Sequence, residues 1–209
     1  MAPKRVDRDA RREDILDAAV RVFARRGYPA TRIEDVAAEA GIAKGSVYLY
    51  FEGREALLAA GFERIARRSA QVLADARRSD RPANDALAEL VEGAVAMLAA
   101  EPDLTAVMLD LWSAGGAARR AEDADPPPPA FDIAAVYREY RALVAELLRR
   151  GGSEGDLRPG LGEPEAAVVV AAIEGCLLQW LVDPSVDLAR LADPITATCL
   201  DGLRARPEG

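Results

Sequence analysis

Gly41 separates two short runs, "ATRIEDVAAEA" before it and "IAKGSVYLYF" after it, each with a helical repeat of apolar residues. Neither run reaches the length at which an isolated helix holds in water, so both must pack on something else. Ile33, Val36, Ala37 and Ala40 fall on one face of the first run, and Thr31 followed by Glu34 has the form of a capping box. A helix of about two and a half turns, stopped by Gly41, is expected there. Gly41, Ile42 and Ala43 form a turn, and a second helix is predicted over 44–51 with Val47 and Phe51 directed inward.

The element they pack on precedes them. "REDILDAAVRVFARRG" places Ile15, Ala19, Val22 and Phe23 on one stripe, with arginines opposite and Gly27 as a stop. A first helix behind two short helices on a glycine turn is a helix-turn-helix unit, whose second short helix enters the DNA major groove. Lys44, Gly45, Tyr48 and Leu49 share the outer face of that helix. Lys44 can reach a phosphate or a guanine acceptor, Gly45 lets backbone come close, and a tyrosine hydroxyl donates to phosphate. Thr31 and Arg32 open one helix and Arg54 opens another, where the partial positive charge of a helix start favours phosphate, and Tyr50 lies between them. The basic residues Lys4, Arg5, Arg8, Arg11 and Arg12 fit either a minor-groove arm or a solvated tail.

The remainder is also helical in period. Gly53 can cap a long fourth helix over 54–78, and further helices are expected over about 84–100, 103–114, 131–151 and 163–182. Gly151-Gly152 is read as the stop of the seventh helix, and residues 115–130, with two glycines and four prolines, as a surface loop. Asp193 and Pro194 suit the start of a last helix, or a kink in a longer one. The eighth helix is apolar nearly all round and needs partners on more than one side. Its run 166–182, interrupted by Glu174 and Gln179, falls short of the roughly 20 residues a membrane span requires, so no membrane partner is expected. No strand pattern and no internal repeat appears.

Residues 13–58 closely resemble the DNA-binding domain of the TetR family of transcriptional regulators. The matching stretches are "ILDAAVRVFARRGY", "TRIEDVAAEAGIAKGSVYLYF" and the Phe51-x-x-Arg54-Glu55-x-Leu57 step. The resemblance implies an all-α protein of about nine helices: an N-terminal three-helix DNA-binding domain over 1–54 and a larger helical effector-binding and dimerisation domain over 55–209. It implies a cytoplasmic homodimer, usually a repressor, on an operator in double-stranded DNA, released by a small-molecule effector. The family's DNA contacts carry over to Thr31, Arg32, Lys44, Gly45, Ser46, Tyr48, Tyr50 and Arg54. Arg54 stands where the family usually has lysine, and Ala43 replaces a common serine, removing an N-cap hydroxyl.

By the same resemblance the last two helices pair with those of a second copy. The interface then draws on Val169, Ile173, Gly175, Cys176, Leu177, Leu181, Ile195 and Cys199. An effector pocket draws on Met108, Leu111, Trp112, Tyr137, Tyr140, Gln179 and Trp180, with Gln179 singled out because a buried amide needs partners. Each of these aromatic residues also suits a plain core.

Composition narrows the alternatives. The 209 residues contain no histidine, and the two cysteines, Cys176 and Cys199, form no CxxC motif and read as buried free thiols. With no P-loop, G-x-G-x-x-G or G-x-S-x-G pattern either, no enzyme, metal or cofactor is expected. The net charge is -8, but residues 1–54 carry 11 Lys and Arg against 9 Asp and Glu, leaving 16 against 26 for the rest. A mildly basic head on an acidic body is compatible with a specific DNA contact. The competing readings are an architectural DNA binder without an effector and a helical small-molecule-binding protein.

Overall fold

The computed structural model describes residues 4–118, 132–183 and 185–204. Among them run α1 (Lys4–Arg26), α2 (Ile33–Glu39), α3 (Lys44–Val47), α4 (Arg54–Arg78), α5 (Ala83–Ala100), α6 (Pro102–Ala118), α7 (Ile133–Glu154), α8 (Glu163–Val182) and α9 (Ala192–Asp201). A 3-10 turn over Leu188–Arg190 precedes α9, and no strand occurs among the described residues, only an isolated bridge between Leu157 and Arg204. The all-α reading holds.

The chain divides into two compact units, Met1–Ile65 with Glu101–Phe131, and Ala66–Ala100 with Asp132–Gly209, where the sequence reading placed a division at 54/55. In the first unit α1 packs on both α2 and α6, and α2 on α3. Its core collects Ile15, Leu16, Val22, Phe23, Val36, Val47, Phe51, Leu57 and Leu104. Arg64, only 13% exposed, pairs with Asp17 at 2.6 Å and lies 3.8 Å from carboxylates of Glu13 and Glu101. In the second unit α5 packs on α7 and α9, and α7 on α8, around Leu73, Leu87, Leu90, Leu143, Leu148 and Leu157.

Several boundaries differ from those the sequence suggests. Helix α1 begins at Lys4, so the basic residues that follow lie on a helix rather than in an extended arm. The expected cap of α2 shifts by one residue: Arg32 is the N-cap, and Asp35, not Glu34, accepts from its backbone N–H at 3.0 Å. Helix α3 closes after one turn, because Leu49 and Tyr50 donate to carbonyls three residues back. Helix α6 continues through Gly115 and Gly116, and the rest of the loop expected over 115–130 lies outside the described residues.

Helix α7 likewise runs through Gly151-Gly152 and ends at Gly155, whose φ of 88° only glycine adopts without strain. Helix α9 begins at Ala192 with Leu191 as its N-cap, so Asp193 sits in its first turn. Helix α8 as formed is 20 residues long and apolar enough, by length and composition, to cross a membrane, which the shorter run counted in the sequence missed. Val169, Ile173 and Leu177 nonetheless pack in the second unit's core, Glu163 and Glu165 lie in the helix's first turn, and Glu174 interrupts its apolar run.

Candidate nucleic-acid interface

The reading pair α2–α3 is held to α1 by salt bridges along its side. Glu39 accepts from Arg21 at 2.8 Å and Arg25 at 2.5 Å, and Asp35 accepts from Arg26 at 2.5 Å. The two arginines hold the Glu39 carboxyl at about 2, against its ordinary 4.5. The basic end of α1 is thereby committed to the fold. None of these pairings is visible in the linear sequence, since the partners stand 9 to 18 residues apart.

Val47 and Phe51 point inward and are buried, as the spacing predicts. That turns Lys44, Gly45, Tyr48 and Leu49 outward, and all four are exposed; Ser46 and Tyr50 are half-buried. Ala43 caps α3 without a side-chain hydrogen bond, so no hydroxyl serves there. The Lys44 ammonium rests 2.5 Å from the Glu34 carboxylate, which lowers the Glu34 pKa through that hydrogen bond and raises that of Lys44. Both side chains are about half exposed, so this contact is weak and exchangeable. Arg32 is exposed beside it. On α1, the Arg8 guanidinium lies 5.9 Å from the Tyr50 ring centre, and that of Arg12 4.6 Å from Phe51.

Two candidate contacts are turned to other work. Thr31 is buried, and its hydroxyl donates to the Gly27 carbonyl at 2.9 Å, closing the end of α1. The Arg54 guanidinium donates to the carbonyls of Pro29 at 2.9 Å, Tyr28 at 3.3 Å and Thr31 at 3.4 Å, and lies over the Tyr28 ring. Both residues shape the α1–α2 turn.

The candidate effector residues fall in both units. Met108 is buried and Leu111 half-buried in the first unit; the Trp112 side chain lies outside the described residues. In the second unit burial, together with the neighbouring Glu174 carboxylate, pushes the pKa of the half-buried Tyr137 hydroxyl well up. Ser69 donates to the buried Tyr140 hydroxyl at 3.4 Å. Gln179 is exposed rather than a buried amide, and Trp180 is half-buried. Of the candidate interface residues, Val169, Ile173, Leu177 and Ile195 are buried within the chain, Cys176, Leu181 and Cys199 are half-buried, and Gly175 is exposed. The exposed line on α8 is Val168, Ala171, Gly175, Leu178 and Val182.

A helix pair turned at Gly41, presenting a lysine, a bare glycine and a tyrosine outward from a body with no strand among its described residues, defines a helix-turn-helix DNA-binding transcriptional regulator. The family model of bacterial regulatory proteins of the tetR family matches residues 15–60. The fatty acid metabolism regulator protein of Bacillus subtilis (strain 168) is 24% identical over 192 residues, covering 90% of this chain and 93% of that one. Among solved structures, the fatty acid degradation regulator FadR from Bacillus halodurans superposes with a TM-score of 0.71 at 27% identity, covering 94% of this chain and 97% of its own. SmeT, the repressor of the Stenotrophomonas maltophilia multidrug efflux pump SmeDEF, gives 0.69 at 25% identity, covering 93% and 90%, and has also been solved with triclosan. The match over residues 15–60, the full-length relative and the shared fold together support a TetR-family regulator.

Proposed function

We propose that this chain is a cytoplasmic, homodimeric repressor that leaves a pseudo-palindromic operator when its second unit takes up a small molecule. The observation that carries the DNA part is the outward face of α3, where Lys44, Gly45 and Tyr48 stand exposed while Val47 and Phe51 anchor the helix from behind. Lys44, Gly45, Ser46 and Tyr48 reach the groove and its walls, Arg32 and Tyr50 bind flanking phosphates, and Thr31 and Arg54 support the turn that presents them.

The exposed line on α8 supports the dimer. Val168, Leu178 and Val182 are 65%, 59% and 79% exposed, and with Ala171 and Gly175 they repeat at intervals of three and four, the spacing of a helix–helix seam. A two-fold partner would cover them with the same surface. The half-buried Tyr137–Glu174 pair and the Ser69–Tyr140 pair support the effector part, because they supply directed polar groups inside an apolar helical unit. SmeT, solved with triclosan, shows a relative of the same fold with a small molecule. An effector that favours one arrangement of the dimer would shift its population away from the operator-competent one.

The test is to incubate purified protein with sheared DNA from its source at about 150 mM salt, where nonspecific phosphate binding is weakened, and to sequence what is retained. One enriched pseudo-palindrome, lost with Tyr48→Ala, is expected. Equal retention of all fragments, or no effect of the substitution, would point to an architectural binder instead.

A further inference from the structure

Gly45 is a glycine the free protein does not need. It lies inside α3, its φ is not in the left-handed region, and a Cβ built on it meets no atom within 4 Å. Alanine would fit there and hold the helical turn better, since glycine is the poorest helix former after proline. The bare backbone therefore faces something outside the chain. In the turn that follows α3, Leu49 is 70% exposed. Tyr48 beside it is 48% exposed, and these two are the exposed large hydrophobic residues of the first unit's described part.

Tyrosine has a hydroxyl to offer a phosphate; leucine has none. An isobutyl group gains nothing from phosphate or from the hydrogen-bonding edges of the bases. In the major groove its match is the C5-methyl of thymine. Leu49 follows Tyr48 directly in the chain and is exposed along with Lys44, Gly45 and Tyr48, so a duplex seated on α3 comes within its reach.

We propose that the bare backbone of Gly45 and the side chain of Leu49 form a seat for one thymine C5-methyl in each operator half-site, which makes Leu49 a specificity-determining residue. The inference rests on the DNA-binding reading above and adds the chemical group that is read. Gly45 admits the base edge closely, Leu49 covers the methyl, and Lys44 and Tyr48 hold the register on either side.

The experiment titrates the full-length protein against its recovered operator and against duplexes in which each half-site thymine is replaced singly by deoxyuridine. That exchange deletes the methyl and leaves every hydrogen-bonding group in place. One position in each half-site is expected to weaken binding about 3- to 5-fold, the worth of one buried methyl. Leu49→Ala should bind the thymine duplex about as weakly and lose the response to deoxyuridine at that position, with an unchanged Tm because the side chain is exposed. Lys44→Ala, weaker on every duplex, should keep the response. Specific binding that ignores every thymine-to-deoxyuridine exchange, or a Leu49→Ala protein with the wild-type response, would overturn this inference alone. Failure to bind any duplex specifically would overturn the regulator reading, and this inference with it.

Discussion

Arg54 stacks on Tyr28, its guanidinium carbon 4.5 Å from the ring centre, while the same group donates to the Pro29 carbonyl. The first turn of α4 is thereby tied to the turn that launches α2. A planar guanidinium can stack and reach several carbonyls at once; an ammonium cannot. Arg54→Ala is expected to cost about 2 kcal/mol and Arg54→Lys about half that, read from urea unfolding. The slope of log K against log salt for operator binding should not change in Arg54→Ala. A slope shallower by about 1 would place Arg54 on a phosphate instead.

Lys44 is paired with Glu34 in the free protein, so DNA must compete for it. Glu34→Gln should tighten operator binding about 2- to 5-fold at low salt, since an exposed pair of this kind is weak, and the gain should shrink as salt rises. Lys44→Ala should weaken binding and flatten the salt slope by about 1. Filter-binding or anisotropy titrations at several salt concentrations measure both.

Acid should loosen the α1–α2 clamp. The Glu39 pKa lies below its unfolded value, so the stability it contributes is whole above pH 4.5 and disappears as the pH falls towards 2. Glu39→Gln should be less stable than the wild type at neutral pH, and the gap should close between pH 4.5 and 2. A gap of constant size in urea midpoints over that range would remove Glu39 from the clamp.

Two adjacent glycines in α7 should respond oppositely to alanine. A Cβ at Gly151 would meet Leu157 Cδ1 at 2.7 Å and Ala83 at 3.3 Å, both in fully packed surroundings. Overpacking costs about 1–3 kcal/mol, more than the gain of about 1 kcal/mol in helix propensity, so Gly151→Ala is destabilising. At Gly152 the nearest atom is 3.5 Å away, an ordinary contact, so the propensity gain should prevail and Gly152→Ala should be neutral to stabilising. Thermal unfolding of the two variants checks the contrast.

The same glycines mark where sequence reading ran out. Gly151-Gly152 looks like a helix stop, but its meaning depends on Leu157 folding back against the bare backbone, a contact no local pattern encodes. The ends of α4 and α8, by contrast, were legible because unbroken apolar periodicity meets glycine, proline or aspartate there. Around the reading head, the inward Val47 and Phe51 and the outward Lys44, Gly45 and Tyr48 follow from helical spacing alone. The work of Thr31 and Arg54 did not, because both answer to carbonyls in the α1–α2 turn whose direction only the folded backbone sets. The one-residue shift of the α2 cap is of the same kind: Glu34 and Asp35 both stand within reach of a helix start, and backbone geometry selects Asp35.

Hydroxyl-radical protection of the recovered operator shows whether a two-fold regulator reads DNA through α3. Two protected patches on one face of the duplex are expected, centred about 10 base pairs or a multiple apart, both absent with Tyr48→Ala. A single patch, or uniform protection that the substitution leaves intact, would contradict a two-fold regulator reading DNA through α3.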